Sequence, residues 1–266
     1  MKNNLFKYIR IIISGYIFKR KKCIELLHKE NEYIPVKCED RCDGLKIAIY
    51  SVNTGDYDSN NLHSFFDDKF DYFIVSDSRT RIIDKRVNIV PIPDSIKTLS
   101  SLEKARYIKT HPQELFKGYD YTIFVDGNIS IKSDIRPIIN SMIFENKVIG
   151  IHKHQSRDCA YEEAKVVFAY GKAKTKDIYR QMKAYRKEGF PKHYGLFETN
   201  VIIRKMNEPK LITLMDTWWE EMEKYTKRDQ LSFTYALWKN GMKSDFVYCI
   251  GTNSRKSTFF DVVGHK

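Results

Sequence analysis

The sequence predicts an α/β fold, a largely parallel central sheet flanked by helices. β-type runs alternate with segments of helical period over most of the chain, the pattern of strands joined through helices. The early β-type runs are apolar on both faces, as strands are when helices cover a parallel sheet from either side. Polar residues, Thr54, Asp56, Asp77, Asp126 and Asn128, follow directly after those runs. Ligands of such sheets bind just beyond the carboxyl ends of the strands, so these residues converge on one candidate site.

Residues 1–44 read as a basic arm and connector, and residues 45–266 as the folded body. Residues 46–52 form a β-type run closed by the turn cluster Asn53-Thr54-Gly55-Asp56. A second run, 71–76, ends at Asp77. A third, 86–90, is stopped by Pro91 and Pro93. Residues 100–110 predict a helix, with Ser100 or Ser101 at its N-cap and Leu102, Ala105 and Ile108 on one face. The apolar strand 121–125 ends in Asp126-Gly127-Asn128, and a shorter strand, 148–151, precedes His152 and His154. Residues 158–188 are mostly helical, with an interruption near Gly171. A strand at 199–203, helices at 208–225 and 229–239, and a final strand at 246–250 complete the body.

With 42% hydrophobic and 14% aromatic residues, the chain is neither disordered nor collagen-like. No uncharged apolar stretch is long enough to span a membrane. The net charge of +12 invites an anionic partner: nucleic acid, a membrane surface or a phosphorylated small molecule. Its distribution narrows the choice. Lys2, Lys7, Arg10, Lys19, Arg20, Lys21 and Lys22 bring seven of the twelve charges into residues 1–22 without one acid, which leaves +5 for the rest. Leu5, Ile9, Ile12, Ile13 and Tyr16 recur there at helical spacing. Such a segment either lies on an anionic membrane surface or packs on the body with its lysines in water. The body has no basic stripe with interleaved aromatics, so no nucleic-acid partner is expected. Cys23, Cys38, Cys42, Cys159 and Cys249 are an odd, sparse set that suits a reducing compartment and offers no zinc pattern.

Asp126, at the mouth of a buried strand, is a candidate ligand for a hard divalent cation, Mn²⁺ or Mg²⁺. These ions often take one or two protein oxygens and complete their shell with phosphate and water. Gly127 lets a phosphate approach the backbone, and Asn128 adds a neutral oxygen. The same triplet is also a common turn.

A series of short segments bears on this choice. They are Tyr50-x-x-x-Thr54-Gly55-x-Tyr57-Asp58; Asp71-Tyr72 leading to Asp77; Ala105-Arg106-x-x-Lys109 before His111-Pro112; and Tyr119-Asp120-Tyr121 leading to Asp126-Gly127-Asn128. Later come His154-x-x-Arg157-Asp158-Cys159-x-Tyr161-Glu162-Glu163-Ala164, Leu196-x-Glu198-Thr199-Asn200 up to Arg204, Trp218-Trp219, and Arg228-Asp229-Gln230-Leu231-Ser232-Phe233. In this order, over about 46–240, the chain resembles the TOD/MUCI-type glycosyltransferase-like domains of plants and bacterial polysaccharide loci. His111-Pro112 reverses the family's usual Pro-His order, and Phe124-Val125 stand where a Trp and an Ile usually precede the Asp. Asn128 occupies the place of the second Asp in the Asp-x-Asp loop of A-type glycosyltransferases.

The resemblance implies an A-type glycosyltransferase fold, Rossmann-like, and a nucleotide-sugar donor. It implies a divalent metal on Asp126 and Asn128, with His265 reaching back as a third ligand. Thr54, Asp77, Arg106 and Lys109 would then cradle the donor nucleotide together with Asp126. Arg106 and Lys109 share a helix face and would meet the diphosphate. His154, Arg157, Glu198 and Asn200 would line the sugar or acceptor side, and Asp229 would be the base of an inverting transfer. Plainer roles are a solvated helix flank for Arg106 and Lys109, helix capping for Asp158 and Asp229, and a frayed tail for His265. Of Trp218 and Trp219, one is expected in the core and the other flooring a sugar groove. The expected acceptor is a lipid-linked or surface glycan, reached from the cytoplasmic face of a membrane that the basic arm touches peripherally. A nucleotidyltransferase and an inactive nucleotide-sugar-binding scaffold are the alternative functions.

Overall fold

The computed structural model describes residues 33–55, 63–77, 84–252, 254 and 257–262. The basic arm and His265 lie outside the described residues. Nine strands are present in that part: β1 (Ile47–Asn53), β2 (Asp71–Ser76), β3 (Val87–Pro91), β4 (Tyr121–Val125), β5 (Ile129–Ile131), β6 (Ile149–Lys153), β7 (Phe197–Lys205), β8 (Tyr248–Cys249) and β9 (Phe260–Val262). The α-helices there are α1 (Ser101–Thr110), α2 (Arg136–Phe144), α3 (Ala160–Ala169), α4 (Thr175–Lys187), α5 (Pro209–Lys224) and α6 (Asp229–Lys239).

The main sheet has the order β3-β2-β1-β4-β7-β6-β8, and β5 and β9 form a separate antiparallel ribbon. β1, β2, β3 and β4 run parallel, as do β6 and β8. β7 alone opposes its neighbours, antiparallel to both β4 and β6. The amino end of β7 therefore lies beside the carboxyl ends of β4 and β6, with Val201 opposite Val125.

Helices bury both faces of the sheet. Tyr50, Phe124, Ile151 and Ile202 pack with Trp218 of α5 and Phe233 of α6. On the other face Ile49, Ile123, Val125 and Ile203 pack with Ile138, Ile139 and Met142 of α2 and with Phe260. A third cluster joins α3, α4 and α6 around Tyr185 and Tyr235, whose rings stack at 3.6 Å. The connector from Tyr33 onward packs on the body: Tyr33 and Tyr248 share a hydroxyl hydrogen bond of 3.0 Å, and Arg41 N donates to Asn140 Oδ1 at 2.8 Å. Among the described residues no helix is long and apolar enough to cross a membrane.

The α3–α4 break falls at Gly171, whose φ of +64° a β-carbon disfavours. The sequence pattern misses β5, α2 and β9. α2 is only nine residues long, follows β5 closely and buries Ile138, Ile139, Asn140, Ser141 and Met142 in succession. The expected final strand, 246–250, is present but shortened to the two residues of β8, with a 3₁₀ turn, Ser244–Phe246, before it.

Ser100 is the N-cap of α1 in a full capping box: its hydroxyl accepts from Glu103 N, and the Glu103 carboxylate accepts from Ser100 N. Ser100→Ala is expected to cost about 1 kcal/mol, read as a lower midpoint in urea with an unchanged slope.

Candidate active site

Four of the residues selected from the sequence meet in one ion-pair cluster. α1 carries Arg106 and Lys109 one turn apart, α6 opens on Asp229, and β4 delivers Asp126. Arg106 Nη1 donates to Asp229 Oδ2 at 2.9 Å, and Lys109 Nζ donates to the same oxygen at 2.6 Å. Lys109 Nζ also stands 3.7 Å from Asp126 Oδ1; the lysine side chain is fully buried, whereas 35% of the Asp126 side chain is exposed. The Phe124 ring lies 4.7 Å from the ammonium. Burial by itself pushes the Asp229 carboxyl up, but Arg106, Lys109 and Arg228 outweigh it and hold the group well below the usual carboxylate range.

Two further contacts fix this cluster. Trp218 Nε1 donates to Asp229 O at 3.0 Å, which pins the first residue of α6. The buried Arg204 donates to Lys109 O and to the Tyr50 hydroxyl, which holds the end of α1. Arg106 and Lys109 are thus committed to Asp229 instead of standing open to a diphosphate, and Lys109 does not reach the surface.

Asp126 N donates to Asn200 O at 2.8 Å, and Ile129 N closes the turn on Asp126 O at 2.8 Å. Glu198 and Asn200 grip one residue, Ser254. Its hydroxyl donates to Glu198 Oε2 at 3.0 Å and accepts from Asn200 Nδ2 at 2.6 Å. Asn200 Oδ1, beside the Asp126 loop, is buried and has no hydrogen-bond partner among the described residues.

At the ends of β1 and β2, Thr54 Oγ1 donates to Ser101 O at 2.7 Å, and Gly55 N donates to Asp77 Oδ1 at 2.9 Å. Lys104 Nζ donates to Asp77 Oδ2 at 3.1 Å. Burial raises the Asp77 carboxyl, but the Gly55 amide and the Lys104 ammonium bring it below its ordinary range. Gly55 sits at φ +66°, and a β-carbon there would meet Ser101 Oγ at 2.7 Å. Only glycine fits this approach of the loop to α1.

His154 and Arg157 brace the loop between β6 and α3. His154 Nδ1 accepts from Ser156 N and Arg157 N at 3.2 Å each, and Arg157 Nε donates to the buried Glu163 Oε2 at 2.7 Å. Asp158 does not cap α3; Cys159 holds the N-cap position, and Asp158 Oδ1 lies 2.7 Å from His193 Nδ1. Nor does either tryptophan floor a groove. Trp218 is fully enclosed, and Trp219, 8% exposed, meets Tyr107 edge-on at 5.2 Å.

Sequence reasoning passed over Ser254, Lys104 and His152. His152 lies in register with Glu198 and packs against Phe260. It is fully enclosed, neither ring nitrogen has a hydrogen-bond partner among the described residues, and burial pushes its pKa down to about 3, so the ring is neutral. Its only signal was a place just beyond an apolar run. Ser254 lies in a polar stretch with no motif.

The Asp126 turn suits a hard cation. Asp126 and Asn128 offer a carboxylate and an amide oxygen on a half-buried turn, and Mn²⁺ or Mg²⁺ accepts such a set when phosphate and water complete the shell. Among the described residues no three His, Cys, Asp or Glu side chains form a metal cage. Phosphate and water would complete the shell of a cation held there.

The model of the TOD1/MUCI70 glycosyltransferase-like domain matches residues 104–265. The chain belongs to this family. The family's domain takes in the whole ion-pair cluster, from Arg106 to Asp229. Within the family, the chain is 24% identical over 155 residues to the probable hexosyltransferase MUCI70 of Arabidopsis thaliana, a match covering 54% of this chain and 26% of that protein. The chain thus spans about a quarter of that relative's length. Among solved structures it is similar to the mannosyltransferase Ktr4p from S. cerevisiae, with a TM-score of 0.50 at 12% identity, covering 90% of this chain and 78% of that one. The bifunctional glycosyltransferase WbbM in its apo form gives a TM-score of 0.48 at 13% identity, covering 83% of this chain and 41% of that one. The fold of this family member is the A-type glycosyltransferase fold.

Proposed function

We propose that the chain transfers a sugar from a nucleotide-diphosphate donor to a glycan or lipid-linked acceptor, with Mn²⁺ or Mg²⁺ at Asp126 and Asn128. One observation carries the reading. Asp126 is a partly exposed carboxylate at the mouth of a buried central strand, on the sheet edge where Thr54, Asp77 and Asn200 also converge. A cation bound there would offset the charge on the leaving diphosphate. Gly55 and Asp77 shape the nucleotide side, and Asn200 Oδ1 accepts a hydrogen bond from the sugar.

Asp229 has a different part from the base expected of it. A general base works best with a pKa near the operating pH, and a carboxylate held this low is a weak proton acceptor. In this reading Asp229 anchors Arg106 and Lys109, and the expectation of inversion loses the residue meant to carry it. His265 is retained as a third metal ligand and the basic arm as a contact to the cytoplasmic face of a membrane, both as parts of the proposal. The family and the fold support sugar transfer, and the hexosyltransferase and mannosyltransferase names of its relatives make hexose donors the first to test.

The test is a thermal-shift screen of nucleotide hexoses with Mn²⁺. A donor at a hundred times its Kd should stabilise the protein by about 2.7 kcal/mol. Asp126→Ala should abolish the shift in a variant that still unfolds cooperatively. An equal shift in the variant would remove Asp126 from the site. Release of nucleoside diphosphate separates transfer from nucleotidyl chemistry, which releases inorganic diphosphate. A donor shift without turnover on any acceptor would favour the scaffold reading.

A further inference from the structure

The ammonium of Lys109 sits between the proposed metal ligand and Asp229, and the transfer described above gives it no task. Fully enclosed, it needs carboxylate partners. Asp229 Oδ2 accepts from it at 2.6 Å, and Asp126 Oδ1 stands 3.7 Å away. Arg106 shares Asp229 at 2.9 Å, and Arg228 adds positive charge around the same carboxylate. Among the described residues of the cluster, the two carboxylates of Asp126 and Asp229 therefore already face three cations, Lys109, Arg106 and Arg228. A dication on Asp126 alone would add two charges beside an ammonium that has no route to water. The rings of Phe124 and Trp218, 4.7 and 5.9 Å from Nζ, help to confine it. A diphosphate arriving with the metal removes the imbalance.

From this geometry we propose that Lys109 is a resident counter-cation that closes Asp126 to a free divalent metal and admits the metal only together with a nucleoside diphosphate. The proposal rests on the reading of Asp126 as a metal ligand. Asp229 and Arg106 hold Lys109 at its post, and the pairing of metal with donor follows from charge balance in a partly buried site. Mn²⁺ and nucleoside diphosphate then bind with positive coupling, each improving the affinity for the other by the same factor.

Titration of Mn²⁺ alone, with free Mn²⁺ read by electron paramagnetic resonance, tests this on wild type, Lys109→Met and Lys109→Gln. The neutral variants should bind Mn²⁺ about tenfold more tightly than wild type, or better. UDP or GDP should then improve Mn²⁺ binding by a smaller factor in the variants than in wild type. A role in packing alone predicts the opposite, because a loosened loop holds metal less well. Lys109→Gln decides the matter should Lys109→Met lack the wild-type circular dichroism spectrum. Equal or weaker Mn²⁺ affinity in the folded neutral variant overturns the proposal. Adding Asp126→Asn to that variant separates the two ideas. If Mn²⁺ binding is absent or ignores Asp126, the metal reading falls as well. If it needs Asp126 but is indifferent to Lys109, only the counter-cation falls.

Discussion

Asp229→Ala is expected to lose about 3–5 kcal/mol of stability at neutral pH, the usual cost of removing one partner from a buried ion pair. The reason is less the lost attraction than what is left behind. Lys109 stays enclosed with Asp126 at 3.7 Å as its only remaining ion-pair partner among the described residues, and Arg106 loses its carboxylate. Urea denaturation monitored by tryptophan fluorescence measures the loss. The pH dependence has a definite sign. The folded-state pKa of Asp229 lies below its unfolded value of about 4. Its contribution is therefore complete above pH 4 or so and is lost as the pH falls toward the folded value. Wild type and Asp229→Ala should differ most at neutral pH and converge in acid. A gap that widens below pH 4 would show that Asp229 is not held by these cations.

Trp218→Ala is expected to cost about as much, 3–5 kcal/mol, since it empties a large enclosed site. It also removes the hydrogen bond from Nε1 to Asp229 O. Trp218→Phe separates the two effects. It keeps much of the ring contact with Phe233, whose centroid lies 4.9 Å away, and deletes the donor together with part of the ring area. Its expected cost is about 1 kcal/mol beyond the loss of ring area. Because the lost bond pins the start of α6, donor binding should weaken in Trp218→Phe under conditions where the variant is fully folded. Unchanged donor binding in a folded Trp218→Phe would mean that α6 is positioned by other contacts.

The fold was legible where local pattern and tertiary role agree. β1, β2 and β4 are apolar on both faces because they are central, and α1 announces itself through Ser100 and Glu103. β5, β9 and α2 were not legible, for distinct reasons: a three-residue strand has no period, and α2 lies in the core on nearly every side. Within the site, residue type and strand position pointed to Asp126, whereas Asp229, Arg106 and Lys109 were implied by the family resemblance. Which of them would pair was hidden, because an ion pair between Lys109 and Asp229 spans 120 residues and depends on how α1 and α6 pack. The misplacement of Trp219 has the same origin. Helical spacing shows that adjacent residues point apart, but not that α1 covers the second direction as well.

The reversed direction of β7 matters for how the protein is made. β7 enters the sheet between β4 and β6, so β4 is a bare edge until residues 197–205 have been synthesised. On the ribosome, the first four strands can pair among themselves while the flank of Tyr121–Val125 stays open to unwanted strand addition. Asn200, whose carbonyl tethers Asp126, arrives with β7, and Asp229 follows later still. A nascent chain of this protein therefore carries its Asp126 loop for a long stretch of translation without the tether from Asn200. The strand that protects the edge is also the one that first tethers the Asp126 loop.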